Sequence, residues 1–237
     1  MYHEVTSGTP RNVHAVTAAQ LRDQLQWLTD HGFRSAELGE IKTATDRCVA
    51  LTFDDAYVDF LEVALPILQQ FKFKATVFVI SDLVGQRRHW ADGDDESQPP
   101  LMDWAQIEAC QQAGVQIGSH TATHPNLATL SETDVVRELS QSRQQLMARL
   151  GGEIDWLCYP YGRQNAMVQT VAQQVGYRLA CASRPFYVGR SSAEYYALDR
   201  IAMLATDSLD DFAAKINPPL RRKLKWYRWL VRQSLLA

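Results

Sequence analysis

Two adjacent carboxylates and two histidines four positions apart are the residues of this chain best suited to chemistry. Asp54 and Asp55 directly follow the apolar run 48–53, and His120 and His124 come later in the sequence. A His-x-x-x-His spacing puts both imidazoles on one side of a helical turn or tight loop. One carboxylate would complete a three-ligand metal site with positions left for water and substrate, and the other would be free to act as a base. Such a histidine pair also arises by chance, but buried strands seldom end in two charges without a function.

The composition sets limits on the class of protein. The chain has 237 residues, 46% hydrophobic and 22% charged, with a formal net charge of −3. These values predict one barrel-sized domain without a second full domain, and they give no general reason to expect nucleic-acid binding. No stretch reaches membrane-spanning length and the start Met1-Tyr2-His3 is not a secretory signal, so we expect a cytoplasmic location.

The four cysteines, Cys48, Cys110, Cys158 and Cys181, are scattered through apolar segments without a Cys-x-x-Cys spacing. A zinc site built from cysteines would need such a spacing. We therefore predict that they are reduced core residues.

Strand-like and helix-like segments alternate along the chain, which predicts an α/β architecture with parallel strands. Apolar runs predict seven or eight βα units with strands near residues 2–5, 33–38, 48–53, 74–80, 115–119, 155–160, 178–183 and 198–204. Polar residues follow three of these strands, namely Asp54-Asp55, Ser119-His120 and Pro160-Tyr161-Gly162. In a parallel barrel the active site lies at the carboxyl ends of the strands, so the three groups should converge on one mouth.

Helix boundaries are marked by capping residues. Thr17 with Gln20 predicts a capping box, and Gly32 a stop; Asp103 with Gln106 opens a second helix that Gly114 closes. Ser131 with Asp134 opens a third helix that ends at Gly151-Gly152, and residues 165–175 supply another. Pro66 should kink or offset the helix that follows Asp54-Asp55.

Two segments interrupt this alternation. Residues 81–101 form a long polar excursion, which is either a solvated loop or a lid beside the site. Residues 217–237 hold six basic residues and no acidic one, interleaved with tryptophan and leucine. This tail could lie on an anionic membrane surface, or pack its apolar side on the barrel while its cations face water.

The order Asp54-Asp55, His120-Thr121-Ala122-Thr123-His124 and Tyr159-Pro160-Tyr161-Gly162 resembles that of the NodB-type polysaccharide deacetylases, carbohydrate esterase family four. The resemblance covers residues 1–216. It implies a single distorted (β/α) barrel with about seven parallel strands. It also implies a divalent metal, usually zinc, with cobalt or another transition metal as an alternative, and hydrolysis of acetyl groups on sugars.

Carried over by this resemblance, Asp55, His120 and His124 would hold the metal and Asp54 would be the general base. The backbone N–H of Tyr161 would help to stabilise the oxyanion, in a turn fixed by Pro160. Tyr161 could instead be a plain core aromatic. Tyr161 and Trp104 are the candidate substrate-binding residues.

The chain departs from the family pattern at two places. Cys158 stands where the family commonly has an arginine that braces the catalytic carboxylate, and Arg163 and Arg200 are candidates for that role. The late histidine that protonates the leaving amine is also missing, since no histidine follows His124. His3 could supply the proton from the end of the first strand, or it could be a structural histidine.

These observations predict a metal-dependent hydrolase that removes acetyl groups, from nitrogen rather than oxygen, in exopolysaccharide or cell-envelope glycan metabolism. Its partner would be an acetylated saccharide. One alternative is a saccharide-binding protein that kept the fold and lost turnover. Another is a membrane-recruited scaffold component that uses the basic tail.

Overall fold

The computed structural model of the chain describes residues 1–87, 99–183 and 195–216. Its strands in these ranges are Glu4–Thr6 (β1), Ala15–Thr17 (β2), Arg34–Ser35 (β3), Cys48–Val49 (β4), Leu51–Phe53 (β5), Ala75–Val79 (β6), Gln116–Ser119 (β7), Trp156–Cys158 (β8), Leu179–Ser183 (β9) and Leu198–Arg200 (β10). The α-helices are Ala18–Asp30 (α1), Leu65–Phe71 (α2), Trp104–Gln112 (α3), Glu132–Leu150 (α4), Ala166–Val175 (α5) and Leu209–Ile216 (α6).

The centre of the fold is one curled parallel sheet with the strand order β10-β9-β8-β7-β6-β5. β5, β6 and β9 are short and almost fully buried, and most of their side chains are apolar, as expected for strands in the interior of a parallel sheet. Two further pairs, β1 with β2 and β3 with β4, lie outside this sheet. The predicted α/β barrel-type architecture is therefore confirmed.

The prediction of about seven strands in the barrel needs correction, since the main sheet has six. The seventh place is held by Tyr2 alone, which forms a single parallel bridge with Phe53. Tyr2 donates to the Thr52 carbonyl at 2.8 Å, while the Met1 carbonyl accepts from Met203 N–H at 3.0 Å. The first two residues thus span the gap between β5 and the segment after β10. The chain then turns away, so β1 pairs with β2 instead of extending the sheet.

The helix signals are mostly confirmed. Thr17 and Gln20 form a reciprocal capping box, as do Asp103 and Gln106, and Ser131 caps α4. A π-helical turn at Phe60–Ala64 leads into α2, in which Pro66 is the second residue. The widened turn offsets the helix, as expected where a proline cannot donate to the preceding turn.

Two expectations fall on residues that are not described. Residues 88–98, the middle of the predicted loop or lid, lie outside the described ranges, and so does the whole basic tail 217–237. Whether the loop is solvated or forms a lid, and whether the tail lies on a membrane surface or packs on the barrel, therefore stay predictions. The domain boundary at 216 also stays a prediction. Among the helices that are described, none is long and apolar enough to cross a membrane.

All four cysteines are free thiols. Cys110, Cys158 and Cys181 are buried, and Cys48 is only partly covered. Cys158 and Cys181 are neighbours in register on β8 and β9.

Candidate active site

The carboxyl ends of the parallel strands deliver polar side chains into one cavity of about 580 Å³. Asp54 and Asp55 follow β5, His120 follows β7, and Arg200 ends β10. The cavity is lined by these residues together with His3, Glu4, Asn12, His14, His124, Tyr161 and Lys215, among others. The prediction that the polar residues at the strand ends lie around one cavity is therefore confirmed.

Three donor atoms of Asp55, His120 and His124 lie close enough to hold one metal ion. The Nε2 atoms of the two histidines are 3.4 and 3.6 Å from the same oxygen, Asp55 Oδ1. All three side chains are buried. Ligands that bind one tetrahedral zinc ion at ~2 Å lie about 3.3 Å apart, which fits these spacings.

The hydrogen bonding of this donor set also fits a cation. Asp55 Oδ1 is buried and has no hydrogen-bond partner among the residues that the structure describes, a costly arrangement unless something positive binds there. His120 Nδ1 lies 2.8 Å from the Cys158 carbonyl oxygen. Donation of the Nδ1 proton to that carbonyl leaves Nε2 to bind a cation beside Asp55, the arrangement typical of metal-binding histidines. Burial lowers the pKa of His120, but Cys158, Asp55 and Asp54 outweigh burial and raise that pKa well above its ordinary value, so a metal ion would displace a proton from Nε2. Burial and the neighbouring His120 lower the pKa of His124 to about 3, which keeps its ring neutral.

A second possible donor set, Asp54, His120 and Cys158, is less suited to a metal ion. Both oxygens of Asp54 already accept from Arg200, at 2.6 and 2.8 Å. Burial raises the pKa of the Cys158 thiol, so sulfur stays protonated and is a poor ligand. The Asp55 set therefore fits a metal ion better than the Asp54 set.

Arg200 and Asp54 form a buried, bidentate ion pair. The Asp54 side chain is 4% exposed and that of Arg200 is 6% exposed. Burial alone would raise the pKa of Asp54, but the charge and hydrogen bonds of Arg200 outweigh it and hold that pKa well below its ordinary range. Arg200 also donates to Cys158 Sγ at 2.9 Å. Arg200, at the end of β10, therefore pairs with Asp54 and contacts Cys158 on β8. Arg163, the other candidate for this role, is exposed and does not line the cavity.

The loop between the two histidines is fixed by a carboxylate from α4. Glu138 Oε2 accepts from the backbone N–H groups of Ala122 and Thr123, at 3.1 and 2.9 Å, and its Oε1 accepts from the Thr123 hydroxyl at 2.7 Å. The Thr121 hydroxyl accepts from the His124 N–H at 3.0 Å. These bonds hold a loop in which both Thr121 and His124 have left-handed backbone angles.

Strained backbone is concentrated at this mouth. Of the six non-glycine residues with positive φ in the described ranges, all but Lys72 lie here: Asp55, Ala56, Thr121, His124 and Tyr161. Residues other than glycine adopt this conformation at an energetic cost, and such strain persists mainly at functional sites.

Tyr161 lies at the cavity wall and not in the core. Its side chain is 53% exposed, and its ring packs edge-on against His124 with centroids 4.8 Å apart. Gly162 follows with φ of 66°, and a Cβ there would lie 2.5 Å from the Ser183 carbonyl oxygen. Only glycine therefore fits this turn against β9. The alternative of a plain core aromatic is excluded.

The two remaining candidates from the sequence, His3 and Trp104, lie in different places. His3 lines the cavity, its ring is 5.0 Å from that of His14, and its Nδ1 has no hydrogen-bond partner in the described part of the chain. Trp104 does not line this cavity; it lies on the first turn of α3, beside Arg149. The role of Glu138 was not predicted from the sequence, because a glutamate in the middle of an amphipathic helix resembles any solvated residue.

An α/β sheet whose strand ends present a metal-type donor set beside a separately braced carboxylate defines a hydrolytic centre. The polysaccharide deacetylase family model matches residues 41–180. The chain belongs to the polysaccharide deacetylase family, whose members hydrolyse N-acetyl amide bonds and are generally metal-dependent.

The chain is similar to known proteins over most of its length. It is 28% identical over 224 residues to the putative polysaccharide deacetylase YxkH of Bacillus subtilis (strain 168), covering 92% of this chain and 75% of that protein. It is 24% identical over 199 residues to the poly-beta-1,6-N-acetyl-D-glucosamine N-deacetylase of Staphylococcus aureus (strain MRSA252), covering 77% and 66%. The structure of the Streptococcus pyogenes deacetylase PplD in complex with acetate matches with a TM-score of 0.78 and 26% identity, covering 92% and 96%.

Proposed function

We propose that this protein removes N-acetyl groups from a polymer of N-acetylglucosamine in exopolysaccharide or cell-envelope glycan metabolism, with zinc bound by Asp55, His120 and His124. The observation that carries the proposal is the donor set beside a buried carboxylate that Arg200 braces. The relative that is named as a poly-beta-1,6-N-acetyl-D-glucosamine N-deacetylase supports the choice of polymer.

The bound ion would polarise the acetyl carbonyl and acidify a water molecule. Asp54 would accept a proton from the attacking water, since its low pKa keeps it ionised at neutral pH. The backbone N–H of Tyr161 would donate to the developing oxyanion. These roles require all of the groups to face one reacting carbon, and all of their residues line the same cavity.

Acetate release decides between this proposal and its rivals. We expect release from N-acetylglucosamine oligomers and polymer, stimulated by added zinc or cobalt and abolished by a chelator. Release from O-acetylated but not from N-acetylated saccharides would overturn the choice of linkage. No release from any acetylated saccharide would favour a binding protein that has lost turnover.

Removal of either metal-binding imidazole should empty the site. We expect His120→Ala and His124→Ala proteins to hold far less than one zinc per chain after dialysis, since two protein ligands bind zinc weakly. Metal analysis by mass spectrometry measures this, and His31→Ala, an exposed histidine at the C-terminal end of α1, is the matched control. Full occupancy in either variant would contradict the ligand assignment.

His3 is the proposed proton donor to the leaving nitrogen. Burial lowers the pKa of His3 despite the opposing charges of Asp54 and Asp55, so its ring would have to gain a proton during the attack of water before it donates one to the leaving nitrogen. An acid matters most when the leaving group is poor. We therefore expect His3→Ala to reduce cleavage of an N-acetyl sugar by about 10²-fold, and cleavage of an activated aryl acetate much less, with unchanged metal content. Equal losses on both substrates would instead indicate a structural role.

A further inference from the structure

One side of α4 carries a row of polar residues beside its apolar one. Glu138, Gln141, Ser142 and Gln145 follow the i, i+3, i+4, i+7 spacing that places side chains on the same side of a helix. Glu138 and Ser142 are buried, and the two glutamines are half-buried. We call these four residues the polar stripe of α4. Buried polar groups cost free energy unless they are hydrogen-bonded, so the partners of the stripe indicate its role.

Two members of the polar stripe bind the loop that carries the two histidines of the donor set. Glu138 accepts two backbone N–H groups and one hydroxyl of this loop. Ser142 contacts Ser119, whose hydroxyl oxygen lies 2.8 Å from its own. Ser119 Oγ in turn accepts from the Thr121 N–H at 3.2 Å. Both buried side chains of the stripe therefore hold the loop.

The two glutamines of the polar stripe reach the same loop through Asp82. Gln141 donates to both carboxylate oxygens of Asp82, at 3.0 and 2.8 Å, and Gln145 donates to one of them at 2.9 Å. The backbone N–H of Asp82 donates to the Ala122 carbonyl at 3.0 Å. The stripe thus contacts the loop directly with two side chains and through one intermediate residue with the other two.

The backbone of residues 120–124 is fully hydrogen-bonded although it has no regular secondary structure. The first of its five N–H groups donates to a carbonyl of β6, and the other four donate to side chains, two of them to Glu138. Thr121 and His124 have left-handed backbone angles, which are costly for residues other than glycine. Loss of the Glu138 carboxylate would therefore free two N–H groups in a strained loop and let it relax.

We propose that the polar stripe of α4, with Glu138 as its main member, sets the affinity of the site for its metal ion. It does so by holding the loop in the conformation that directs His120 Nε2 and His124 Nε2 toward Asp55. Glu138 is a positioning residue, because its hydrogen bonds go to the two residues between the histidines. Ligands that are already held in place lose less conformational entropy on binding. The proposal rests on the proposed function for the identity of the three ligands.

Zinc affinity and amide exchange test the role of Glu138 independently of turnover. We expect Glu138→Ala to weaken zinc binding by about 10- to 100-fold, the usual effect of losing a group that orients metal ligands. Amide hydrogen exchange in the metal-free protein should become faster at residues 121–124 and stay unchanged in β6 and β9. Glu138→Gln should keep most of the zinc affinity, since its amide oxygen can accept both N–H groups and its NH₂ can donate to a hydroxyl. Glu132→Ala, an exposed glutamate on the first turn of the same helix, is the matched control.

A milder variant tests the same contact if Glu138→Ala does not fold. Thr123→Val removes only the exposed hydroxyl that donates to Glu138 Oε1, and it should weaken zinc binding less than Glu138→Ala does. When the two changes are combined, the loss of binding free energy should be smaller than the sum of the single losses, because both remove the same bond. Strictly additive losses, or no loss from Thr123→Val, would contradict a role of this bond in holding the loop.

Three results would overturn the proposal: unchanged zinc affinity in Glu138→Ala, equal losses in Glu138→Ala and Glu138→Gln, or an equal loss in Glu132→Ala. Absence of zinc binding by the natural protein would instead overturn the ligand assignment of the proposed function. The exchange rates are measured without metal, so they would still decide the role of the stripe. Unchanged exchange at residues 121–124 in Glu138→Ala would then show that the polar stripe does not hold the loop.

Discussion

The Asp54→Asn protein should keep its metal and lose acetate release by about 10²-fold or more, the usual contribution of a positioned base. The amide has nearly the same shape as the carboxylate but cannot accept the proton of the attacking water. Zinc content and kcat would be measured on the same preparation. The effect should appear in kcat and not in KM, because Asp54 acts after the substrate is bound.

Asp55→Asn is the matched comparison, because the two carboxylates are neighbours with opposite proposed roles. Loss of the Asp55 carboxylate should lower zinc affinity first, with partial recovery of activity in excess zinc. Equal loss of metal in both variants, without rescue, would make Asp54 a ligand and place the base elsewhere. Undiminished activity of Asp54→Asn would remove it from the mechanism.

Arg200→Ala should be the most destabilising of the substitutions considered for this site. It leaves the Asp54 carboxylate buried without its partner, and breaking one side of a buried ion pair costs roughly 3–5 kcal/mol of folding free energy. Urea unfolding followed by circular dichroism measures this loss. Activity should fall as well, because an unbraced Asp54 would be neither ionised as readily nor held in place.

Two further variants separate the charge of Arg200 from its geometry. Arg200→Lys keeps the cation but not the bidentate fork, so we expect partial recovery of stability and little recovery of kcat. In the Asp54→Asn background, Arg200→Ala should cost clearly less than in the natural protein, since no charge is then stranded. An equal cost in the two backgrounds would show that Arg200 stabilises the fold by packing alone.

The central strands were predictable because their sequence signal is local. Residues 74–80, 115–119 and 178–183 are apolar runs bounded by polar or glycine residues, and they form β6, β7 and β9. Residues 48–53 were predicted as one strand, but they divide at Ala50 into β4 and β5, which belong to different sheets. Which neighbour a strand pairs with depends on distant residues, and a periodicity pattern does not contain that information.

The site was predictable to the extent that it follows from strand ends. Asp55, His120 and His124 converge because parallel strands end at one mouth. The choice between Arg163 and Arg200 could not be made from spacing, since the partner of Asp54 comes from 146 residues away. Trp104 was a candidate substrate-binding residue, but it does not line the catalytic cavity.

The contacts that close the sheet join the two ends of the described chain, and this has a consequence for the order of folding. Met1 N–H donates to the Ile201 carbonyl across 200 residues, and Arg200 reaches Asp54 with β10. Such contacts form slowly, because loop-closure entropy must be overcome before they contribute. The three metal donors, by contrast, all lie between residues 55 and 124. The order of the chain would therefore let these three side chains come together before Arg200 closes on Asp54, and metal uptake would then not require a complete catalytic site.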